Sequence, residues 1–182
     1  MDAIVKKVIK YAKEELKDND KVHGFKHAET TARFAESISR EERANTKLCI
    51  ISAWLHDISL KEKRGWVKET IENNHGIESF EKSKSFLISL GLTSSEVNEI
   101  CDAMSCHCFP NIQTTLTSKI LWDSDKLNIF SKEMKKDYLK YWAIKFGDIN
   151  KAKEQMKKEK EYYLKYFNTI TAKEIASKLV GG

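Results

Sequence analysis

The scarcity of helix-breaking residues is the feature of this sequence that most restricts its fold. The 182 residues include one proline and seven glycines, whereas 41% are hydrophobic and 32% are charged. Apolar side chains recur at intervals of three and four along most of the chain, which is typical of helices with one buried face. Because the chain lacks the turn residues that a sheet protein needs, it is predicted to be all-α.

The apolar spacing predicts a series of helices. Asn45 is expected to cap the third helix, Gly91 to end a later one, and Thr93 and Glu96 to form a capping box that opens the next. Thr171 is expected to cap the last helix. The predicted segments are 4–16, 25–38, 48–58, a short helix near Val67 and Ile71, 77–90, 93–104, 120–127, 131–146, 148–167 and a last short helix that is capped by residues 171–174.

Charge and hydropathy narrow the class of protein. The net charge of +5 fits anionic ligands, but a solvated, lysine-rich surface explains it equally well. No apolar run approaches the roughly 20 residues of a membrane span, and the N-terminal segment is amphipathic rather than signal-like. We therefore expect a cytoplasmic protein without membrane association, whose cysteines are reduced thiols. These cysteines are Cys49, Cys101, Cys106 and Cys108.

Histidines at the ends of apolar segments are the first candidates for chemistry. His23 and His27 are four residues apart, so they share one face if they are helical. His56 and Asp57 follow the most apolar helix of the chain, AWLHDI. Burying a histidine beside an ionised aspartate is costly unless a cation offsets the charge. A divalent ion would supply that cation.

A second acidic pair, Asp123 and Asp125, lies in the segment LWDSDKL, where apolar neighbours direct carboxylates toward the interior. Imidazoles combined with carboxylates suit a catalytic ion of the Mn, Fe, Co, Ni, Zn or Mg group, whereas closed structural zinc sites prefer thiolates. The segment from Cys101 to Cys108 has no C-x-x-C pair and no second cluster. The cysteines are therefore interpreted as buried or idle rather than as a zinc knuckle.

Several segments, taken in order, carry a resemblance to a known family. HGFKHAETTARFAESI, AWLHDI and LWDSDKL give the order H…HD…D, and NNHGIESFEKSKSFLISLG with the later His107 extends the likeness. The chain resembles the HD-domain metal-dependent phosphohydrolase superfamily, in particular its small stand-alone members, over roughly residues 20–130. The resemblance implies a single-domain helical bundle of the HD-domain type. Residues 1–130 would form the metal-binding core, and residues 131–182 would be extra C-terminal helices packed on it.

The resemblance also implies the metal ligands, which are His27, His56, Asp57 and Asp125. His27 is preferred to His23 because it occupies the position before the helix that carries alanine and arginine. Asp125 is preferred to Asp123 because it precedes the Lys-Leu pair, where family members carry a basic residue and leucine. Many relatives have alanine where this chain has Ser124 and an acid where it has Asn128. This departure bears on substrate contacts rather than on the ligand.

Further site residues follow from the same resemblance. His75 and His107 match histidines that relatives place around the metal, where they would act as general acid, hold a phosphate oxygen or bind a second ion. Asp57 would also accept the proton of the attacking water. For the KEKR run that contains Arg64, a solvated loop is the alternative interpretation. The expected substrate contacts are His23, Arg64 and Lys126.

The implied function is metal-dependent hydrolysis of a phosphate ester or anhydride in a small molecule, with a nucleotide as the expected substrate. One divalent ion is required, and a second remains an option. An alternative is a regulatory HD module that binds metal and nucleotide without hydrolysis. A third interpretation, a helical nucleic-acid-binding protein, predicts steeply salt-dependent affinity. Since no recognised binding motif supports it, no stable nucleic-acid complex is expected.

The composition shifts toward lysine, glutamate and aromatic residues from about residue 132. Aromatic side chains at near-helical spacing are expected to pack on the first part of the chain, and the alternative is a lid or a base-stacking wall. These residues are Tyr138, Trp142, Phe146, Tyr162, Tyr163 and Tyr166.

Overall fold

The computed structural model describes residues 2–19, 21–60 and 75–181 of the chain. Within these ranges the chain is all-α, as predicted, with helices joined by short turns and no strand. The helices are α1 (Ala3–Glu15), α2 (Phe25–Glu41), α3 (Thr46–Leu55), α4 (His75–Ser89), α5 (Ser94–Cys106), α6 (Leu116–Leu127), a 3-10 turn (Asn128–Phe130), α7 (Lys135–Phe146), α8 (Ile149–Tyr166) and α9 (Ile170–Gly181). The short helix predicted near Val67 and Ile71 lies outside the described residues.

Side-chain caps explain where several helices begin. The Asn45 side chain accepts a hydrogen bond from the Leu48 amide at the start of α3, as predicted. The capping box of Thr93 and Glu96 is also confirmed. Such a cap satisfies backbone N–H groups that have no partner inside the helix, and it contributes about 1 kcal/mol.

The cap of the last helix was predicted wrongly. The Thr169 hydroxyl, rather than that of Thr171, accepts from the Ala172 amide at the start of α9. Thr171 lies inside the helix, and its hydroxyl donates to the Glu42 carboxylate 2.7 Å away. In the sequence, each threonine is followed by residues that favour a helix, so the sequence alone does not show which of the two is the cap.

Helix α3 is the centre of the packing. It lies against α1, α2, α5 and α6, and Leu48, Ile51 and Leu55 are almost completely buried. A helix that neighbours surround on all sides is apolar all round, which explains the long apolar run before His56. Each such side chain contributes about 1.5–3 kcal/mol through burial. The C-terminal end of α3 therefore lies inside the protein.

Helices α7 and α8 form an antiparallel hairpin whose members contact mainly each other and the 3-10 turn. Gly147 ends α7 in the left-handed conformation, with φ +63°. Outside the hairpin, Lys26 of α2 donates to the Asp137 carboxylate and to the Glu133 carbonyl oxygen, at 2.8 and 2.6 Å. These contacts hold the hairpin over the N-terminal end of α2. Among the described helices, none has the length and apolar character to cross a membrane.

Candidate metal centre

The four side chains that the family resemblance implies as metal ligands meet where helix ends converge. His27 lies in the first turn of α2, His56 caps the C-terminus of α3, Asp57 follows it, and Asp125 lies on α6. All four are buried, and His56 has no exposed surface. We call His27, His56, Asp57 and Asp125 the first cluster.

The ligand atoms of the first cluster face one another. Nε2 of His27 lies 3.1 Å from Nε2 of His56 and 3.2 Å from Oδ1 of Asp125. Nε2 of His56 lies 3.2 Å from Oδ2 of Asp57. The distances place two imidazole nitrogens and two carboxylate oxygens around one point.

The hydrogen bond on the far side of the His56 ring defines its tautomer. Nδ1 of His56 lies 2.8 Å from the Ala53 carbonyl oxygen. A carbonyl oxygen only accepts, so Nδ1 carries the hydrogen and the neutral ring directs the lone pair of Nε2 into the cluster. That lone pair faces the Asp57 carboxylate, so a proton or a metal ion is required between the two atoms. Backbone orientation of a histidine in this way is also typical of metal ligands.

Electrostatics within the first cluster favour bound positive charge. Burial would raise the pKa of Asp57, but the His56 and His107 rings hold it well below its usual range. Burial likewise opposes ionisation of Asp125, and the Lys126 ammonium and His27 keep its pKa well below the ordinary value. Burial lowers the pKa of His27. Two ionised carboxylates and a histidine that resists protonation are the forms that bind a metal ion.

A second set of side chains contacts Oδ1, the other carboxylate oxygen of Asp57. Oδ1 of Asp57 is 3.2 Å from Nε2 of His75 and 3.4 Å from Nε2 of His107. The two Nε2 atoms are 3.0 Å apart, and Sγ of Cys108 lies 3.6 Å from the His75 ring nitrogens. We call His75, His107 and Cys108 the second cluster. Asp57 thus connects both clusters, one through each oxygen.

Cys108 is the member of this site that the sequence did not predict. The cysteines were interpreted as buried or idle, which describes Cys49, a buried residue, but not Cys108. Burial opposes ionisation of Cys108, yet the rings of His107 and His75 lower its pKa to about 5. Its position directly after His107 was the available signal. Its other partner, His75, lies on a helix that is distant in the sequence, so it gave no signal for Cys108.

His75 and His107 are held in place by backbone contacts. Nδ1 of His107 lies 2.6 Å from the Met104 carbonyl oxygen, so Nε2 faces the cluster as it does in His56. Gly76 lets α4 approach α5 closely, because a Cβ at this position would lie 1.8 Å from the same Met104 oxygen. The Ser59 hydroxyl donates to the His75 carbonyl oxygen at 3.0 Å.

A polar side chain that the sequence did not indicate orients the first cluster. Nδ2 of Asn19 donates to the carbonyl oxygens of His23 and Asp57, at 3.1 and 3.2 Å. This amide connects the turn after α1 to the backbone of the central aspartate. Its partners are backbone atoms, so nothing in the sequence pattern identifies the role.

A cavity of about 180 Å³ opens beside both clusters. His23 and Lys126, two of the expected substrate contacts, line it, whereas Arg64 lies outside the described residues. Nζ of Lys126 is 2.5 Å from Oδ2 of Asp125. The opposite wall comes from the α7–α8 hairpin and consists of Tyr138, Tyr141, Trp142, Glu159 and Tyr163. Three of the six aromatic side chains expected to pack on the rest of the chain, Tyr138, Trp142 and Tyr163, contact the core.

Asp123 and Asn128 face away from the cavity. The Asp123 carboxylate accepts from the Asn168 and Thr169 amides at 2.8 Å, which fixes the start of α9. Nδ2 of Asn128 donates to the Thr31 hydroxyl at 2.8 Å, so this residue joins α6 to α2. Asn128, where many relatives have an acidic residue, therefore makes contacts within the protein rather than in the cavity.

Solved structures with the same fold include three bacterial proteins. A predicted HD superfamily hydrolase from an uncultured Thermotogales bacterium shares 24% identity, with a TM-score of 0.69 over 97% of this chain and 84% of that one. Bacillus subtilis YpgQ in complex with ADP shares 15% identity, with a TM-score of 0.71 over 96% and 86%. A Lactobacillus plantarum protein shares 18% identity, with a TM-score of 0.71 over 98% and 90%.

Comparison with curated proteins gave no match. The sequence model of the HD domain, in contrast, matches residues 24–129, which include the first cluster, the second cluster and Lys126. This match confirms the resemblance that the sequence motifs carried. The chain belongs to the HD domain family.

Proposed function

We propose that the first cluster binds one divalent metal ion. The observation that carries the proposal is the 3.1 Å contact between Nε2 of His27 and Nε2 of His56, beside the carboxylates of Asp57 and Asp125. Ring nitrogens at this distance require a proton or a metal ion between them, and the backbone-bound tautomer of His56 favours the metal. Two nitrogen and two carboxylate ligands suit ions of the Mn, Fe, Co, Ni, Zn or Mg group.

The reaction that this centre fits best is hydrolysis of a phosphate ester or anhydride. A divalent ion in the first cluster supplies an activated water and offsets charge on phosphoryl oxygens. The low pKa of Asp57 keeps it ionised, which suits a ligand of the ion, and its carboxylate would also be the group positioned to accept the proton of a water bound there. Lys126 lines the cavity beside Asp125 and is placed to contact a phosphoryl oxygen.

The second cluster suits protonation of the leaving group. Burial alone would lower the pKa of His107, but the Cys108 thiolate and the Asp57 carboxylate raise it well above its usual value. The pKa of His75 is raised as well, because Asp57 and Cys108 outweigh burial. A protonated imidazole beside the cavity is a general acid. If a second ion binds here instead, these side chains are its ligands, and the number of ions per chain decides between the two roles.

A nucleotide is the proposed substrate. The cavity joins the metal-binding side chains to a wall of aromatic rings and contains the Lys126 ammonium, which suits a phosphate attached to a cyclic group. Bacillus subtilis YpgQ, which has the same fold, was crystallised with ADP. The alternative, a regulatory module that binds metal and nucleotide without hydrolysis, uses the same residues and differs only in turnover.

Metal content and turnover test these proposals separately. Purified protein should contain about one divalent ion per chain, and Asp57→Ala should lose it, whereas the exposed Asp18→Ala should not. Full metal content in Asp57→Ala would show that the ligand assignment is wrong. Phosphomonoesters and nucleoside mono-, di- and triphosphates are then assayed with Mn, Co, Ni and Mg. Tight nucleotide binding without release of phosphate or pyrophosphate would favour the regulatory module.

A further inference from the structure

Glu159 is a half-buried carboxylate on the wall of the cavity opposite the metal centre. Burial raises its pKa, although Gln155, Trp142 and two lysines oppose that effect. Among the described ion pairs none includes Glu159, and the nearby Lys126 ammonium is paired with Asp125. A carboxylate in this position is costly to the folded protein. It therefore requires a reason beyond packing.

The hydrogen bonds of Glu159 leave both of its oxygens able to accept more. Oε2 accepts from Nε1 of Trp142 and Oε1 accepts from Nε2 of Gln155, each at 3.2 Å. A carboxylate offers about four acceptor positions, two on each oxygen. The Trp142 and Gln155 bonds hold the group in one orientation. Each oxygen keeps an acceptor position for a ligand in the cavity.

The size of the cavity indicates which part of a ligand reaches Glu159. Its volume is about 180 Å³, below the roughly 300–1,000 Å³ of pockets that enclose drug-sized molecules. A phosphate held by the first cluster and Lys126 leaves room for the group directly attached to it, not for a sugar and a base together. In a sugar phosphate or a nucleotide that group is the pentose.

The chemistry of a pentose matches this wall. Its vicinal hydroxyls present two donors side by side, as the two oxygens of Glu159 present two acceptors, and a carboxylate is a known partner of ribose hydroxyls. The rings of Trp142 and Tyr163, which also line the cavity, give an apolar surface for the carbon face of the sugar. Neither ring can replace the carboxylate as an acceptor for two hydroxyl donors.

We propose that Glu159 is a specificity-determining residue that accepts hydrogen bonds from the vicinal hydroxyls of a phosphorylated ribose, either free or within a ribonucleotide. The proposal rests on the proposed function for the position of the phosphate. It predicts selection by the sugar rather than by the base.

Equilibrium binding to the Mn²⁺-loaded protein provides the test. Calorimetry with AMP, 2′-deoxy-AMP, ribose 5-phosphate and 2-deoxyribose 5-phosphate should show at least about tenfold tighter binding of each ribo compound, equivalent to one hydrogen bond to a charged group. Glu159→Gln should weaken the ribo ligands more than the deoxy ligands, which keep one of the two hydroxyls, and should thereby remove the ribo preference. The pair of free sugars shows whether the base is needed.

Two control variants separate recognition from a structural role. Glu154→Gln lies on the same helix, is exposed and pairs with Lys158, so it should leave all four affinities unchanged. Trp142→Phe removes the indole donor but keeps the carboxylate, and it should retain the ribo preference. Equal loss of ribo and deoxy ligands in Glu159→Gln would show that Glu159 only joins α7 to α8 and would overturn the proposal.

Failure of the proposed function gives a different result. If the protein prefers ribo ligands through Glu159 but hydrolyses none of them, the recognition proposal stands and the hydrolase proposal falls. If the protein hydrolyses phosphate esters with equal kcat/KM for ribo and deoxy forms, the hydrolase proposal stands and the role of Glu159 is wrong. Absence of binding by all four ligands also overturns the role of Glu159.

Discussion

Asp123 and Asp125, which flank Ser124 on α6, direct their carboxylates to different parts of the protein. Oδ1 of Asp125 lies 3.2 Å from Nε2 of His27, inside the first cluster. The Asp123 carboxylate instead receives hydrogen bonds from Thr169, at the start of α9. The same residue type in one short segment therefore has two physical roles, which substitution can separate.

We predict that Asp125→Asn loses metal while Asp123→Asn loses stability. Asp125→Asn removes one of two negative ligands, so the affinity for Mn²⁺ should fall by more than about tenfold. Asp123→Asn replaces one of the two acceptor oxygens with an NH₂ donor, so the donors at the start of α9 that face it lose their acceptor. The expected cost is about 1–3 kcal/mol in the free energy of unfolding. Metal analysis and urea denaturation measure the two effects. The reverse outcome would exchange the assignments of the two aspartates.

Gly76→Ala should disrupt the second cluster. The new Cβ would lie 1.8 Å from the Met104 carbonyl oxygen and 2.8 Å from Nδ1 of His107, so α4 must move away from α5. Overpacking of this kind costs about 1–3 kcal/mol or more. Thermal unfolding should show a lower Tm, whereas the exposed Ser85→Ala on the same helix should behave as wild type. An unchanged Tm would mean that the two helices are not held this closely.

The cysteines should differ in reactivity in the metal-free protein. Burial raises the pKa of the Cys49 thiol to about 12, whereas the neighbouring histidines lower that of Cys108 to about 5. Because the thiolate is the nucleophile, iodoacetamide at pH 7 should alkylate Cys108 rapidly and leave Cys49 intact. The rate at Cys108 should fall as the pH drops through 5, since the thiol becomes protonated.

Peptide mass spectrometry of the alkylated protein identifies the modified cysteine. Cys108→Ser should remove the rapid phase. Rapid labelling of Cys49 in folded protein would contradict the packing around α3.

Metal binding should weaken in acid and stabilise the fold. Protons compete with the ion for His27, so the apparent Mn²⁺ affinity should fall as the pH is lowered below about 6.5, the ordinary pKa of histidine. Burial lowers the pKa of His27, which moves the loss of binding to more acidic pH than an exposed histidine would give. At neutral pH, a metal concentration of about 100 times Kd should add about 2.7 kcal/mol.

Thermal unfolding with and without EDTA at several pH values measures this linkage. The rise in Tm on metal addition should shrink as the pH falls. His27→Ala should show no metal-dependent shift at all, and a full shift in that variant would contradict the ligand assignment.

Much of the fold could be predicted because its causes are local. Apolar spacing located the helices, and the caps at Asn45 and Thr93 depend on residues only three positions away. The cap at Thr169 was missed because its setting depends on Asp123, which lies far away in the sequence. Local chemistry describes a helix end, but it does not describe what the end packs against.

The candidate site shows the same limit. His56 and Asp57 stood out because an apolar helix precedes them, and the family resemblance supplied their partners. No sequence motif indicated Cys108 or Glu159, because the residues that they contact are brought close only by the tertiary structure. Sequence therefore identified the residues that face the proposed ion. It also indicated His23, Lys126 and part of the aromatic wall, but not Cys108 or Glu159.

The position of the α7–α8 hairpin allows substrate specificity to change in evolution while the fold is kept. It supplies one wall of the cavity, yet α7 has no buried residue, and in α8 the buried residues are Ala152 and Met156. Exposed and half-buried positions tolerate replacement at little cost in folding free energy. A lineage can therefore change the molecules it accepts by altering this hairpin, while selection on the buried helices preserves the first cluster.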